Sequence, residues 1–315
     1  MNPVQGIMLS LTYKTLWSRA STNSADVLYR ARRCASLSDT VELLSLLEND
    51  LPSYIVCIVC NTLHRRHTTD EANMLVRRYY TSRRYCSAAN RCLIIAQDPW
   101  TIEIEREAVD LALRAQSKGT KYGIKIDVFK QHRQWSAYSI CKNTVNIDME
   151  ALPILDPQGG HLHLFLKTTQ AIDVDLRRPL DTQMSQCKLC SCPHAKARDK
   201  EGAVTNLKKL ESPGHHSAKS TFKCQYCPTD VVIEASRNGD EIFGCLTLTT
   251  YRDLGARGGH TNREWLHLCE LDYSEREFQR NGGKYVFGEK SLRKVYDDAK
   301  KLPGVTDLKT ATASR

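Results

Sequence analysis

The spacing of apolar residues predicts helices near the start of the chain. Residues 7–20 form a short apolar stretch typical of a helix. Val41, Leu44 and Leu47 then recur at helical spacing, and Pro52 ends this second helix. A further helix is predicted from the Asp98-Pro99 pair to Gly119, with one face formed by Ile104, Ala108, Leu111 and Ala115.

Beyond about residue 122 the pattern changes to the alternation of half-buried strands. Strands are predicted over residues 124–128, 137–147 and 162–168, with a turn at Gly159-Gly160 before the last. Residues 231–235 and 242–250 predict a hairpin, since Asn238-Gly239 is a favoured hairpin turn.

Two later segments differ from this alternation. Residues 186–230 are polar, rich in cysteine and poor in apolar periodicity, so this region is predicted to be a loop organised by something other than a hydrophobic core. A helix is predicted over residues 290–302, with Leu292, Val295, Tyr296 and Ala299 facing inward.

The sequence therefore predicts an α+β protein with an N-terminal helical part followed by a β-rich part that carries zinc-knuckle loops. The predicted divisions are residues 1–50, a helical region over 51–120, a β-rich domain over 121–303 and a disordered tail over 304–315.

Cysteine content points to a metal rather than to disulfides. The chain has 13 cysteines in 315 residues, an odd number, clustered in C-x-x-C pairs and preceded by no signal-peptide pattern. These features favour an intracellular protein, cytoplasmic or nuclear, whose paired cysteines bind metal.

The main candidate site combines two cysteine pairs, Cys187 with Cys190 and Cys224 with Cys227. Four such ligands satisfy the tetrahedral preference of Zn²⁺, which would then have a structural role. We expect Cys224 and Cys227 to supply two of the ligands. The other two would come from four candidates that the sequence leaves open, namely Cys187, Cys190, Cys192 and His194.

A second candidate site rests on a single C-x-x-C pair, Cys57 with Cys60. His64, Cys86 and Cys92 are candidates to complete it. The competing interpretation is that the two cysteines of the pair are small buried hydrophobic residues.

No motif for catalysis was found. The chain lacks the G-x-S-x-G, H-E-x-x-H and G-x-G-x-x-G patterns, so a non-enzymatic function is expected. His161 and His163 lie two residues apart in a strand pattern, so both rings would point to one face. In one alternative they bind the catalytic metal of a hydrolase. The preferred interpretation is a polar strand face.

The basic charge suggests another alternative. The formal net charge is +9, and arginines concentrate between residues 65 and 91. A zinc-dependent nucleic-acid-binding protein would use such a segment, although a solvated helical face explains it as well.

Several motifs follow one another in an order that resembles filamentous-fungal F-box-like proteins of uncharacterised function. The resemblance covers most of residues 8–268 and rests on loose motifs. They are Leu51-Pro52, Cys57-x-x-Cys60 and Leu63-His64-Arg65, then Cys192-Pro-His194, Cys224-Gln-Tyr-Cys227, Leu248–Gly255 and Trp265.

The resemblance implies a substrate-recruiting subunit of a cullin-type ubiquitin ligase. Its F-box part would bind a Skp-type adaptor protein, and the rest would bind a target protein. In this chain the F-box is truncated, because only Ile7–Leu16 resembles it, as its last helix. Residues 1–50 would then be an F-box remnant with a linking helix.

Overall fold

A computed structural model gives the fold of the protein. It describes residues 44, 47–48, 51, 54–57, 62–65, 92–96, 102–136, 144–156, 160–180, 182–183, 191–192, 194–212, 214–237, 243–256, 268 and 291–301. The chain separates into two units, Met1–Thr68 and Thr69–Arg315.

Within the described residues the strands are β1 Tyr54–Cys57, β2 Thr62–Arg65, β3 Cys92–Ala96, β4 Ile102–Glu105, β5 Gln131–Ser136, β6 Thr144–Leu155, β7 Leu162–Asp175, β8 Ser217–Lys223, β9 Thr229–Arg237 and β10 Phe243–Ala256. The helices are α1 Arg106–Lys118, α2 Lys196–Glu211 and α3 Leu292–Lys301. None of these helices is long and apolar enough to span a membrane.

In the first unit, β1 and β2 form an antiparallel hairpin. The buried carboxylate of Glu48 accepts a hydrogen bond from the Val56 amide at 3.1 Å. This contact links the helical residues before Pro52 to the hairpin.

The second unit is built on a six-stranded sheet with the order β5-β6-β7-β10-β9-β8, in which every neighbouring pair is antiparallel. Side chains alternate between the two faces of a strand. On β9, Val231 and Ile233 pack in one hydrophobic cluster and Val232 packs in another. The sheet is therefore covered by apolar contacts on both faces.

The two clusters show which helix covers which face. Ala203, Leu207 and Leu210 of α2 belong to the cluster that contains Val231 and Ile233. Their neighbours from β7 and β10 are Ile172, Val174, Leu246 and Leu248. The other cluster joins α3 to the opposite face through Leu292, Tyr296 and Ala299.

These observations confirm the coarse prediction of an α+β protein, and several elements lie where the sequence placed them. The hairpin of β9 and β10 is present, although its predicted turn lies outside the described residues. Helix α3 buries Leu292, Tyr296 and Ala299, with Val295 packed against the same cluster. Helix α1 ends at Gly119, whose φ of 95° is in the region that favours glycine.

Within residues 51–120 the structure corrects the predicted helical region. The segment contains the four short strands β1 to β4, and its helix begins at Arg106 rather than at Asp98-Pro99. Ile102 and Ile104 alternate with acidic residues and are completely buried in β4. β-branched residues at alternate positions favour a strand, and here that preference prevails over the helical spacing.

The strand predicted over residues 124–128 is also wrong. A 3₁₀ turn at Thr120–Tyr122 precedes this segment, and a second 3₁₀ turn at Ile126–Phe129 occupies its end. The Ile124 amide donates a hydrogen bond to the Leu111 carbonyl at 3.3 Å, so the chain folds back onto α1 and buries Ile124 completely.

The predicted loop over residues 186–230 contains a 16-residue helix, α2, and the edge strand β8. Ala203, Leu207 and Leu210 have helical spacing and were the signal for α2. Two of its other inward positions are the polar residues Asp199 and Asn206, both almost completely buried, which obscures the pattern.

Candidate metal centre

Four cysteine and histidine side chains converge beside the first turn of α2. Cys192 and His194 come from the segment that leads into this helix, and Cys224 and Cys227 come from the turn between β8 and β9. Their ligand atoms all lie within 4.8 Å of one another. Ligand atoms on one Zn²⁺ would be about 3.5–3.8 Å apart, since zinc–ligand bonds are about 2.0–2.3 Å long. The cluster could hold a metal ion.

Backbone hydrogen bonds shape the turn that carries Cys224 and Cys227. The Cys224 amide donates to the Thr229 carbonyl at 2.9 Å, and the Thr229 amide donates to the Cys227 carbonyl at 2.7 Å. The Tyr226 amide lies 3.4 Å from the Cys224 sulfur, to which it donates. An N–H group directed at the sulfur stabilises a thiolate, the form in which cysteine binds metals.

The two thiols of this turn differ in their acidity. Hydrogen bonds from the Cys192 and Cys227 thiols, assisted by the Tyr226 amide, lower the pKa of Cys224 to about 3. Burial raises the pKa of Cys227 well above its ordinary value. The buried Cys227 thiol would need a nearby cation to ionise, and a metal ion at this point would supply that charge.

His194 supplies an independent observation. Both of its ring nitrogens are buried, and neither has a hydrogen-bond partner among the described residues. The ring packs against Tyr226 with 5.6 Å between centroids. Buried polar atoms without partners are rare because their desolvation is not compensated. A metal ion bound to one ring nitrogen would compensate the desolvation of that nitrogen, so the His194 side chain fits the role of a metal ligand.

Two of the four side chains in the cluster are buried and two are partly exposed. Cys192 and Cys227 are each about 1% exposed, whereas Cys224 and His194 are partly exposed. The Cys227 sulfur lies 3.3 Å from the Thr229 hydroxyl, at the start of β9. The cluster thus lies at the end of the sheet, with one side open to solvent.

Three buried polar residues beside the cluster were not singled out by the sequence. The Asp199 carboxylate accepts hydrogen bonds from the Ser191 amide and hydroxyl, both at 2.8 Å. Arg252 of β10 donates through Nε to the Ser191 carbonyl at 3.0 Å, and Nη2 donates to the same oxygen. Burial raises the pKa of Asp199 to about 6 against the lowering effect of the Ser191 hydrogen bonds.

Of the ligands proposed for the main site, the structure brings together Cys192, His194, Cys224 and Cys227. Cys187 and Cys190 lie outside the described residues. In the second candidate site, Cys57 lies at the end of β1 and His64 lies in β2. Cys92 begins β3. The side chains of these three residues, like Cys60 and Cys86, are outside what the structure describes.

His161 and His163 do not form a shared site. His161 is exposed before β7, whereas His163 is 2% exposed and its Nδ1 lies 3.0 Å from the Asp253 carboxylate. The preferred interpretation of a polar strand face is thus wrong for His163, which is part of a buried pair. Among the described residues, the group around Cys192 is the one cluster of these residue types with a spacing that suits a metal ion.

Comparisons with protein-family models, with curated proteins and with solved structures found no significant match to this chain.

Proposed function

We propose that Cys192, His194, Cys224 and Cys227 bind a structural Zn²⁺ ion. Three thiolates and one imidazole form a tetrahedral donor set that is typical of zinc. The unpartnered buried ring of His194 is the observation that carries the proposal, because the thiols alone could be explained as buried hydrophobic residues. Four protein ligands leave no position for a substrate or an activated water, so the ion would stabilise the fold rather than catalyse.

Zinc content per chain tests this proposal directly. We expect one zinc ion at the site in the wild-type chain and its loss in a Cys224→Ser, Cys227→Ser variant, measured by elemental analysis after dialysis. Cys245→Ser is a matched control, since Cys245 is a partly exposed free cysteine on β10 outside the cluster. Wild-type protein that purifies without zinc, and does not take it up, would refute the proposal.

For the whole chain we propose a non-enzymatic, zinc-stabilised module that binds another protein. The support is the ordered set of motifs that resembles fungal F-box-like proteins, together with a cluster of four protein ligands, which would leave an ion no open position. In this proposal the chain recruits a target to a cullin-type ubiquitin ligase. The segment Ile7–Leu16, which would contact a Skp-type adaptor, lies outside the described residues.

A pull-down with a purified Skp-type adaptor tests the ligase role separately from zinc binding. We expect capture by the wild-type chain and its loss when Leu9 and Leu16 are both replaced by arginine. Zinc content should be the same in both proteins. If the wild-type chain does not capture the adaptor, the ligase role fails while the zinc proposal stands.

Zinc-dependent binding of nucleic acid is the second candidate. Its support is the net charge of +9 and the arginine-rich segment 65–91, of which residues 66–91 lie outside the described part of the chain. Helix α2 adds exposed cations, which include Arg198, Lys208 and Lys209. Phosphate contacts give an affinity that falls steeply with salt concentration. Titration of labelled RNA and DNA at two salt concentrations would reveal this dependence, and absence of binding at low salt would exclude the candidate.

A further inference from the structure

A buried polar network fixes the peptide bond that precedes one of the four proposed ligands. The carbonyl of Ser191 belongs to the peptide plane shared with Cys192. Nε and Nη2 of Arg252 both donate to this carbonyl. The orientation of the plane sets the direction of the Cys192 Cα–Cβ bond, so Arg252 acts on the position of the Cys192 sulfur through the backbone.

The other side of Ser191 is fixed from the helix. Asp199, in the first turns of α2, accepts the Ser191 amide and hydroxyl at 2.8 Å each. Helix α2 has no side-chain cap at Ala195, so these bonds and the Asp199 amide bond to the Ala195 carbonyl at 2.8 Å define how the chain enters the helix. Ser191 is completely buried and is held between a helix and a strand.

The network continues into the sheet. Nη1 of Arg252 donates to the Thr168 hydroxyl of β7 at 3.1 Å, and that hydroxyl lies 2.5 Å from the hydroxyl of Thr250. All of these side chains are completely or almost completely buried. Their positions are thus set by the two central strands of the sheet rather than by a surface loop.

The positive charge of Arg252 would also offset the charge of the proposed metal cluster. A zinc ion with three thiolates and a neutral imidazole has one net negative charge. The fully buried guanidinium donates to the carbonyl of the peptide bond that precedes Cys192. A buried cation beside an anionic metal cluster lowers the cost of burying both.

We infer that Arg252 and Asp199 are positioning residues of the metal centre, which act through Ser191 to hold the Cys192 thiolate in the geometry that a tetrahedral ion needs. Residues that hydrogen-bond around metal ligands commonly contribute about 10- to 100-fold to metal affinity. This inference rests on the proposed zinc site and adds two residues to it that supply no ligand atom.

The test measures the zinc dissociation constant of the full chain by competition with a chromophoric chelator. The variants are Arg252→Lys, Asp199→Asn and the double variant, each shown to be folded by circular dichroism. Arg252→Lys keeps the charge but loses the two-pronged contact with one oxygen. We expect each single variant to weaken zinc binding about 10- to 100-fold. Because both residues act on Ser191, the double variant should lose less than the product of the two effects.

A core variant separates positioning from general loss of stability. Leu248→Ala removes a buried side chain from β10, four residues before Arg252, and it should destabilise the fold while changing zinc affinity less than about threefold. Cobalt substitution adds a spectroscopic readout. The thiolate-to-cobalt bands should shift in Arg252→Lys and remain as in the wild type in Leu248→Ala.

Each outcome bears on the inference. The inference would be overturned if the folded Arg252→Lys and Asp199→Asn variants bound zinc within about threefold of the wild-type affinity. It would also be overturned if Leu248→Ala lost as much zinc affinity as those two variants. If Arg252→Lys does not fold, Ser191→Ala removes only the hydroxyl bond to Asp199, and it should weaken zinc binding severalfold and shift the cobalt bands. A wild-type chain that binds no zinc would instead refute the proposed zinc site itself.

Discussion

Helices α2 and α3 cover opposite faces of one sheet, and they are attached to it in different ways. At the start of α3, the Asp230 carboxylate of β9 accepts the Ser291 hydroxyl at 2.7 Å and the Arg293 amide at 3.3 Å. No side chain caps the start of α2. Its entry is held by Ser191 and by two of the proposed metal ligands.

This difference shows that the stability of each helix depends on different parts of the chain. Helix α3 combines an amphipathic sequence, a cap and the edge-on packing of Tyr296 against Tyr251, whose ring centroids are 5.6 Å apart. Helix α2 has 16 residues but buries only Leu207 and Leu210 as large apolar side chains, because its inward positions also include the polar residues Asp199 and Asn206. We therefore expect α2 to depend on the metal centre and α3 to be nearly independent of it.

The largest effect should come from removing the metal. Chelation of zinc from the full chain should raise amide hydrogen exchange in α2 at least about tenfold more than in α3, because structural zinc sites contribute several kcal/mol to folding. Hydrogen exchange measured by mass spectrometry on the zinc-loaded and chelated protein reports both helices in one experiment.

The Cys245→Ser variant serves as the control, since its thiol lies outside the cluster and its exchange should respond to chelation as in the wild type. Equal increases in exchange for α2 and α3 would mean that the sheet unfolds as one unit. The contrast between the two helices would then be incorrect.

The same contrast explains what the sequence could predict about the fold. Helix α3 was predicted within two residues of its ends, because Leu292, Val295, Tyr296 and Ala299 repeat at helical spacing. Helix α2 was missed because buried polar residues occupy part of its inward face, and their burial follows from partners distant in sequence. One of these partners is the Ile233 carbonyl, which accepts a hydrogen bond from Asn206 at 2.9 Å.

A smaller effect is expected from the cap of α3. Asp230→Ala removes the acceptor of two hydrogen bonds and should cost about 1–2 kcal/mol, as the loss of helix caps commonly does. Chemical denaturation of the zinc-loaded protein measures this cost. Ser291→Ala removes one of the same bonds, so the double variant should lose less than the sum of the two costs.

The zinc content of the Asp230→Ala and Ser291→Ala variants tests whether α3 is independent of α2. Both variants should keep the zinc of the wild-type chain, since Asp230 caps a helix on the opposite face from α2. A loss of zinc in Asp230→Ala would show that the two helices are coupled through β9.

The candidate metal centre was predictable only in part for a related reason. The C-x-x-C pattern identified Cys224 and Cys227, because residues three apart in a tight turn direct their thiols to one point. The sequence could not choose among the candidate partners, since the choice depends on how α2 packs on the sheet. Arg252 and Asp199 carried no signal, because isolated charged residues in a strand or helix usually face solvent.

The smallest effect concerns an ion pair that joins α3 to β6. Lys300 Nζ lies 2.8 Å and 3.0 Å from the two Glu150 carboxylate oxygens. Burial would raise the pKa of Glu150, but the hydrogen bond and charge of Lys300 outweigh it and hold the pKa below its ordinary value. A carboxyl whose pKa is lowered by folding stabilises the folded state above its unfolded pKa, and this stabilisation is lost as the pH falls through the folded pKa.

Lys300→Met should therefore cost less than about 1 kcal/mol at pH 7, because both side chains are partly exposed to solvent, and nothing at a pH well below 4. The free energy of unfolding of wild type and variant, measured across this pH range, gives the difference directly. Lys301→Met is the matched control, since Lys301 is more exposed and lies 3.6 Å from Asp298 on its own helix. An equal loss in both variants, or a loss that persists in acid, would show that Lys300 stabilises α3 through its aliphatic chain rather than through Glu150.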